Sequence, residues 1–504
     1  MGKFNQFLFG TLVAAFFAAP SFVYAHGSAH ANETVQINDF SAQQAEALPP
    51  EQLGFSSARL LDLNIKIEGG YGRGWYFETP KNLSEELVNQ GFAMFNMFQY
   101  TDAFRSFNSA IKLDSKMTIA YIGKALNASN LDGSNTFYLA EAYQHILDNA
   151  SNLDARTTAW ANLYLAMVAG QNLAGANFSP QQAYAALKVA DANNYEVYTL
   201  VNWITNIYNI PDMEMVLKKD PQNAGAMHYL MHLAEGNNDH QGALDYALSM
   251  VPLVPKSAHG QHMLGHVLPH FNRWAEADKQ FEMAHQLHLD WAKQNSADLK
   301  AAGLQEIGPD EDWHYGHNLT LFSVTKMVAD SANAYNVLSE IEKVNPGAII
   351  DTLDYLVATT PMTEAQKLND YFNQIEGIST QYKDYVVSSR LFYNLVFDSS
   401  DPATVADISA SVNAMPNFKN KSFLQLATRM IKASSSNNTV ELNKVLATAI
   451  NQLNSNFSRG GFDGWQQSVI EALMYKKVFE VYGLTSALQE LDAKIIGVYM
   501  NPVN

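Results

Sequence analysis

The chain has 504 residues, 47% of them apolar, and 32 basic against 50 acidic side chains give a formal charge of −18. That composition supplies a large core and argues against nucleic-acid binding, which needs a basic face to displace counterions, while the sign favours cationic partners, metal ions included. Cysteine is absent from the sequence, which excludes disulfides, thiolate metal sites and c-type haem attachment together.

The first 25 residues, "MGKFNQFLFGTLVAAFFAAPSFVYA", place Lys3 before a short apolar run that ends at Pro20. This is the pattern of a secretory signal peptide, with cleavage after Ala25 and after Ala31 both open. The expected destination is the periplasm or the exterior. No later segment approaches 18 unbroken apolar residues, so no stable membrane insertion is expected after cleavage. Residues 26–81 read as an irregular N-terminal segment. Their "EGGYGRGWYF" lacks the Lys-Ser/Thr that a phosphate loop needs.

From about residue 82 the apolar positions recur at three- and four-residue spacing, which predicts an all-α chain. Gly91, Ala103, Phe107 and Ala110 reappear with the same internal spacing as Gly265, Ala277, Phe281 and Ala284. Ala243, Ala247 and Pro255 mark a unit between them, and Ala334, Leu338, Ile341 and Pro346 mark another. These strings resemble tetratricopeptide repeats (TPR), pairs of antiparallel helices with small residues where helices cross. The resemblance implies a right-handed superhelical solenoid over 82–346, followed by degenerate helical repeats over 347–504.

Of the 14 histidines, 11 lie between His228 and His317. His228 and His232 form one His-x-x-x-His pair and His262 and His266 another, each member 34 residues from its counterpart. A spacing of four puts both rings of a pair on one helix face. The repeat register predicts that His228 stacks against His262 and His232 against His266, on first helices that line a concave groove. Glu235, three after His232, and His259, three before His262, share those faces, and His317 opens the next first helix. His240, His270, His285, His288 and His314 fall on second helices, loops or less suitable positions.

The strings "NAGAMHYLMHLAEGN", "AHGQHMLGHV" and "HNLTLF" also resemble a group of exported bacterial TPR proteins with histidine-rich inner helices, after a repeat like "YTDAFRSFNSA". That resemblance implies fold and site more than activity. A set made of His228, His232, Glu235, His259, His262, His266 and His317 is imidazole-dominated and suits copper, zinc, nickel or iron over magnesium or calcium. Copper ranks first and zinc second, with no catalytic residue assigned. Three functions stay open: a copper-dependent oxidoreductase or a zinc-dependent hydrolase, acting on a small-molecule substrate or peptide in the groove, and a non-catalytic scaffold that binds peptide or protein partners. The His-Glu-x-x-His motif of zinc proteases is absent, since Tyr229 stands where its Glu would be.

Overall fold

The computed structural model describes residues 58–67, 69–128, 130–131, 135–312, 314–330, 353–375, 383–398, 402–414, 420–459 and 462–500. The expected signal peptide and the expected repeat marked by Ala334 to Pro346 lie outside the described residues. Among the described residues the chain is all-α, and the β-type pairing is an isolated bridge between Gln171 and Asn177. No described helix is long and apolar enough to cross a membrane. The chain divides into two compact units, residues up to Leu264 with Met283–Tyr315, and Gly265–Glu282 with the residues from Gly316 onward.

In the first unit, α1 (Leu83–Asn96), α2 (Tyr100–Leu113) and α3 (Thr118–Ala128) pack in sequence. Asn82 caps α1 by accepting from the Glu85 amide, and Glu85 and Glu86 place negative charge in its first turn. Phe107 of α2 is fully buried between two glycines. A Cβ at Gly91 of α1 would lie 2.7 Å from its ring, and one at Gly123 of α3 2.5 Å. The glycines are there because the ring is. Burying a phenylalanine this way contributes about 1.5–3 kcal/mol. The second unit repeats the arrangement: a Cβ at Gly265 would lie 2.8 Å from the fully buried ring of Phe281. The Gly-to-Phe spacing is thus a helix-packing code.

Further along the first unit, α4 (Ala224–Gly236) and α5 (His240–Met250) form a hairpin, and α4 also packs on α1. Asn223 caps α4 through the Ala226 amide, and Asp239 caps α5 through Gly242. Helix α6 (Ala258–Val267) follows, with Ser257 accepting from the Gly260 amide at 3.0 Å. Helix α7 (Trp274–Ala301) carries His288, and Asp312 and His314 lie in the segment just before α8 (Tyr315–Ala329).

Several described helix ends share one corner, five of them around a non-glycine residue. Phe98, Asn206, Asn238, Asn272 and Asn437 adopt φ of 55°, 55°, 60°, 59° and 54°. The following amide in each case donates to the carbonyl five residues back: Gln99 to Met94, Ile207 to Asn202, Asp239 to Ala234, Arg273 to Leu268, and Asn438 to Ala433, at 2.8–3.2 Å. This is the Schellman arrangement, whose left-handed residue is usually Gly or Asn. Phe98 breaks that preference.

The N-terminal segment is irregular but held. Gly74 abuts α1 so closely that a Cβ would lie 1.9 Å from the Asn89 carbonyl oxygen. The Asn89 side chain accepts from Phe77 N and donates to Phe77 O, and Trp75 N donates to Glu196.

Candidate metal centre

Helix α4 offers His228 and His232 from one face, as their spacing requires. Their Nε2 atoms lie 3.0 Å apart, and Nε2 of His259, on α6, lies 2.9 Å from that of His228. One ring nitrogen from each of His228, His232 and His259 falls within 4.8 Å of the others, a set that can hold a metal ion. His228 and His259 are buried and His232 is half-buried.

The far sides of the rings are also occupied. His228 Nδ1 lies 2.6 Å from the Asn96 carbonyl oxygen. That oxygen only accepts, so Nδ1 carries a proton, and a neutral ring would turn its Nε2 lone pair toward the other two histidines. His259 Nδ1 meets His314 Nε2 at 3.1 Å, His314 Nδ1 meets His288 Nε2 at 3.5 Å, and His288 Nδ1 meets the Asp312 carboxylate at 2.9 Å. The other Asp312 oxygen accepts from the His314 amide at 3.1 Å. A file of imidazoles therefore runs from His259 to a carboxylate.

Behind Asn96 lies a second buried acid. The Asn96 amide donates to Glu196 at 2.9 Å, and the Tyr229 hydroxyl donates to Asn96 at 3.0 Å. Burial pushes the Glu196 carboxyl up from 4.5 to about 7, against the opposing pull of its Asn96 and Trp75 donors. The Asn96 carbonyl that orients His228 is thereby fixed through its own side chain.

Aromatic rings close over the trio. The Phe98 ring centroid lies 4.6, 5.8 and 4.9 Å from those of His228, His232 and His259. Trp203 lies 5.5 Å from His232 and stacks on Tyr229 at 5.0 Å.

The structure regroups the residues singled out by sequence. The short contact of His228 is with His259, one turn before the repeat-equivalent His262. His262 lies 4.2 Å from His314 and 6.0 Å from His259, ring to ring. In the second unit His266 is fully buried and sits 6.0 Å from His317. Glu235 lies one turn beyond His232 at the end of α4, outside the trio, where its charge acts on His240 of α5. His228, His259, His262 and His266 are buried, and His232 and His317 are half-buried. His288 and His314, which their positions on a second helix and a loop had set aside, belong to the file behind His259. Asn96 and Phe98 were also missed: a backbone carbonyl has no sequence signature, and Phe is not a turn residue.

No protein-family model matches the chain, and no curated protein matches it significantly.

Proposed function

We propose that this chain is an exported TPR-like metalloprotein with a mononuclear three-imidazole centre at His228, His232 and His259. The observation that carries the reading is the convergence of one ring nitrogen from each of the three histidines within 4.8 Å, with the Nδ1 atoms of His228 and His259 already facing other partners. If each ring is the neutral Nδ1–H tautomer, His228 donates to Asn96 O. His259 donates to His314, His314 to His288 and His288 to the Asp312 carboxylate. All Nδ1 protons of that file then have acceptors, and the Nε2 lone pairs of His228 and His259 point at one another across 2.9 Å. A cation satisfies that convergence directly. An ion bonded to imidazole at about 2.0–2.1 Å with tetrahedral angles holds its nitrogens about 3.3 Å apart, close to the separations here.

The outer partners fit the pattern in which a carboxylate or carbonyl fixes the tautomer of a ligating histidine. Three neutral imidazole donors suit copper and zinc alike, and the Irving–Williams order ranks copper first as the resident ion. Copper would supply one-electron chemistry in the way a redox cofactor does, while the chain's residues orient the ligands and exclude water. The helix hairpins, the shared corners and the Gly91–Phe107 and Gly265–Phe281 packing support the TPR-like part of the reading.

Elemental analysis and electron paramagnetic resonance on protein never exposed to added metal test the assignment. The expected result is one copper per chain, lost in His259→Ala and weakened about 10–100-fold in Asp312→Asn, which cuts the end of the file. Stoichiometric zinc without copper would move the reading to hydrolysis. Protein that takes up no transition metal at all would leave a scaffold.

A further inference from the structure

Among the described residues, five corners built on a non-glycine residue share the same hydrogen bond and nearly the same left-handed φ. Four carry Asn, whose short polar side chain tolerates that conformation, and one carries Phe98, whose bulky side chain disfavours it. A bulky left-handed residue persists where its surroundings over-determine it, and such residues gather at functional sites. Here the surroundings are the three candidate ligands. The Phe98 centroid is within 4.6–5.8 Å of all three imidazoles, and the ring itself is buried. The other corners show that helix-to-helix connection needs no aromatic at this position.

Given a cation at His228, His232 and His259, as proposed above, we propose that Phe98 sets its coordination number. The ring occupies one side of the trio, so solvent cannot complete an octahedral shell there. The ion keeps three imidazoles and one further ligand of the size of water or hydroxide. Six-coordinate binding, which would bring several waters, is disfavoured by the same ring. Phe98 thus acts as a specificity-determining residue, favouring ions content with four ligands.

Cobalt(II) reads this directly, because a four-coordinate ion has an intense visible d–d absorption and a six-coordinate ion a weak one. The full chain, stripped by chelator and titrated with cobalt(II), is expected to show the intense band. Phe98→Asn takes the residue found at the other corners, so it should fold with unchanged helical content. Its band should fall several-fold and its cobalt should exchange faster. Phe98→Leu, which keeps apolar bulk, should retain most of the intensity. A weak, six-coordinate spectrum in the unaltered chain overturns the proposal whatever the variants do. An intense band that Phe98→Asn leaves unchanged overturns it too, while sparing the three-imidazole centre. Cobalt that fails to bind the unaltered chain sinks the centre itself.

Discussion

The α1–α2 and α4–α5 hairpins of the first unit turn the same corner with different residues. Gln99 N bonds Met94 O at 2.9 Å and Asp239 N bonds Ala234 O at 2.8 Å, around Phe98 and Asn238. Their interiors differ as well. A 34-residue step back from Gly265 and Phe281 leads to Met231 and Ala247, both fully buried. Where α1 and α2 set a glycine against a phenylalanine, these positions carry a larger residue on the first helix and a smaller one on the second. Helix packing tolerates such an exchange because total volume is kept. The corner exchange conserves nothing of the kind. Phe98 replaces a residue suited to the backbone by one suited to the three imidazoles, so the two differences have different causes.

The interior difference can be broken first, with the largest expected effect. Phe107→Ala should lower stability by about 3–5 kcal/mol in denaturant melts, since it empties the space between Gly91 and Gly123. Adding Gly91→Met restores volume from the other helix, as Met231 and Ala247 do. The double variant should therefore recover part of the loss. If it is no more stable than Phe107→Ala alone, the volume account fails.

The ligands come next. His259→Ala should reduce metal affinity by more than about 100-fold, beyond the loss caused by removing an outer partner, with little change in circular dichroism. Equal losses of metal and helix would mean that His259 acts through packing instead.

A pH effect singles out the α1–α2 corner, which is tied through Asn96 to Glu196. Burial raises the Glu196 carboxyl from 4.5 to about 7. Between those values the folded chain holds a proton that the unfolded chain releases, so this group makes stability fall as pH rises through that window. Glu196→Gln should remove that dependence. It should gain on the unaltered chain by about 3 kcal/mol above pH 7, with the relative gain disappearing below about pH 4.5. Parallel stability curves for the two proteins across that range would contradict the assignment.

The smallest expected effect sharpens the corner comparison itself. Asn238→Phe puts the aromatic at a left-handed corner away from the trio and should cost about 1–2 kcal/mol in thermal melts without altering metal uptake. A neutral result would mean that the corner accepts Phe freely, and Phe98 would then carry no functional message.

The legibility of these features in the sequence follows the range of the forces involved. The all-α class and the Gly–Phe packing positions were readable, because both come from periodicity along one or two helices. His228, His232 and His259 were readable as candidates through helical spacing. Their partnership was not. A repeat of 34 aligns His228 with His262, but the ring that meets His228 is His259, about one turn earlier on α6. His314 meets His259 from 55 positions further along and His288 meets His314 from 26 positions before it, and no local pattern announces that. The Asn96 carbonyl is invisible to any motif. Phe98 could be found only by comparing corners, once their φ values were known.

X-ray absorption fine structure of the metal-loaded full chain tests the central claim most directly. Three imidazole nitrogens at about 2.0–2.1 Å, with one additional light ligand and with the imidazole signal reduced in His259→Ala, are what the three-histidine centre predicts. A first shell of oxygens alone, or an imidazole shell unchanged by His259→Ala, would contradict it.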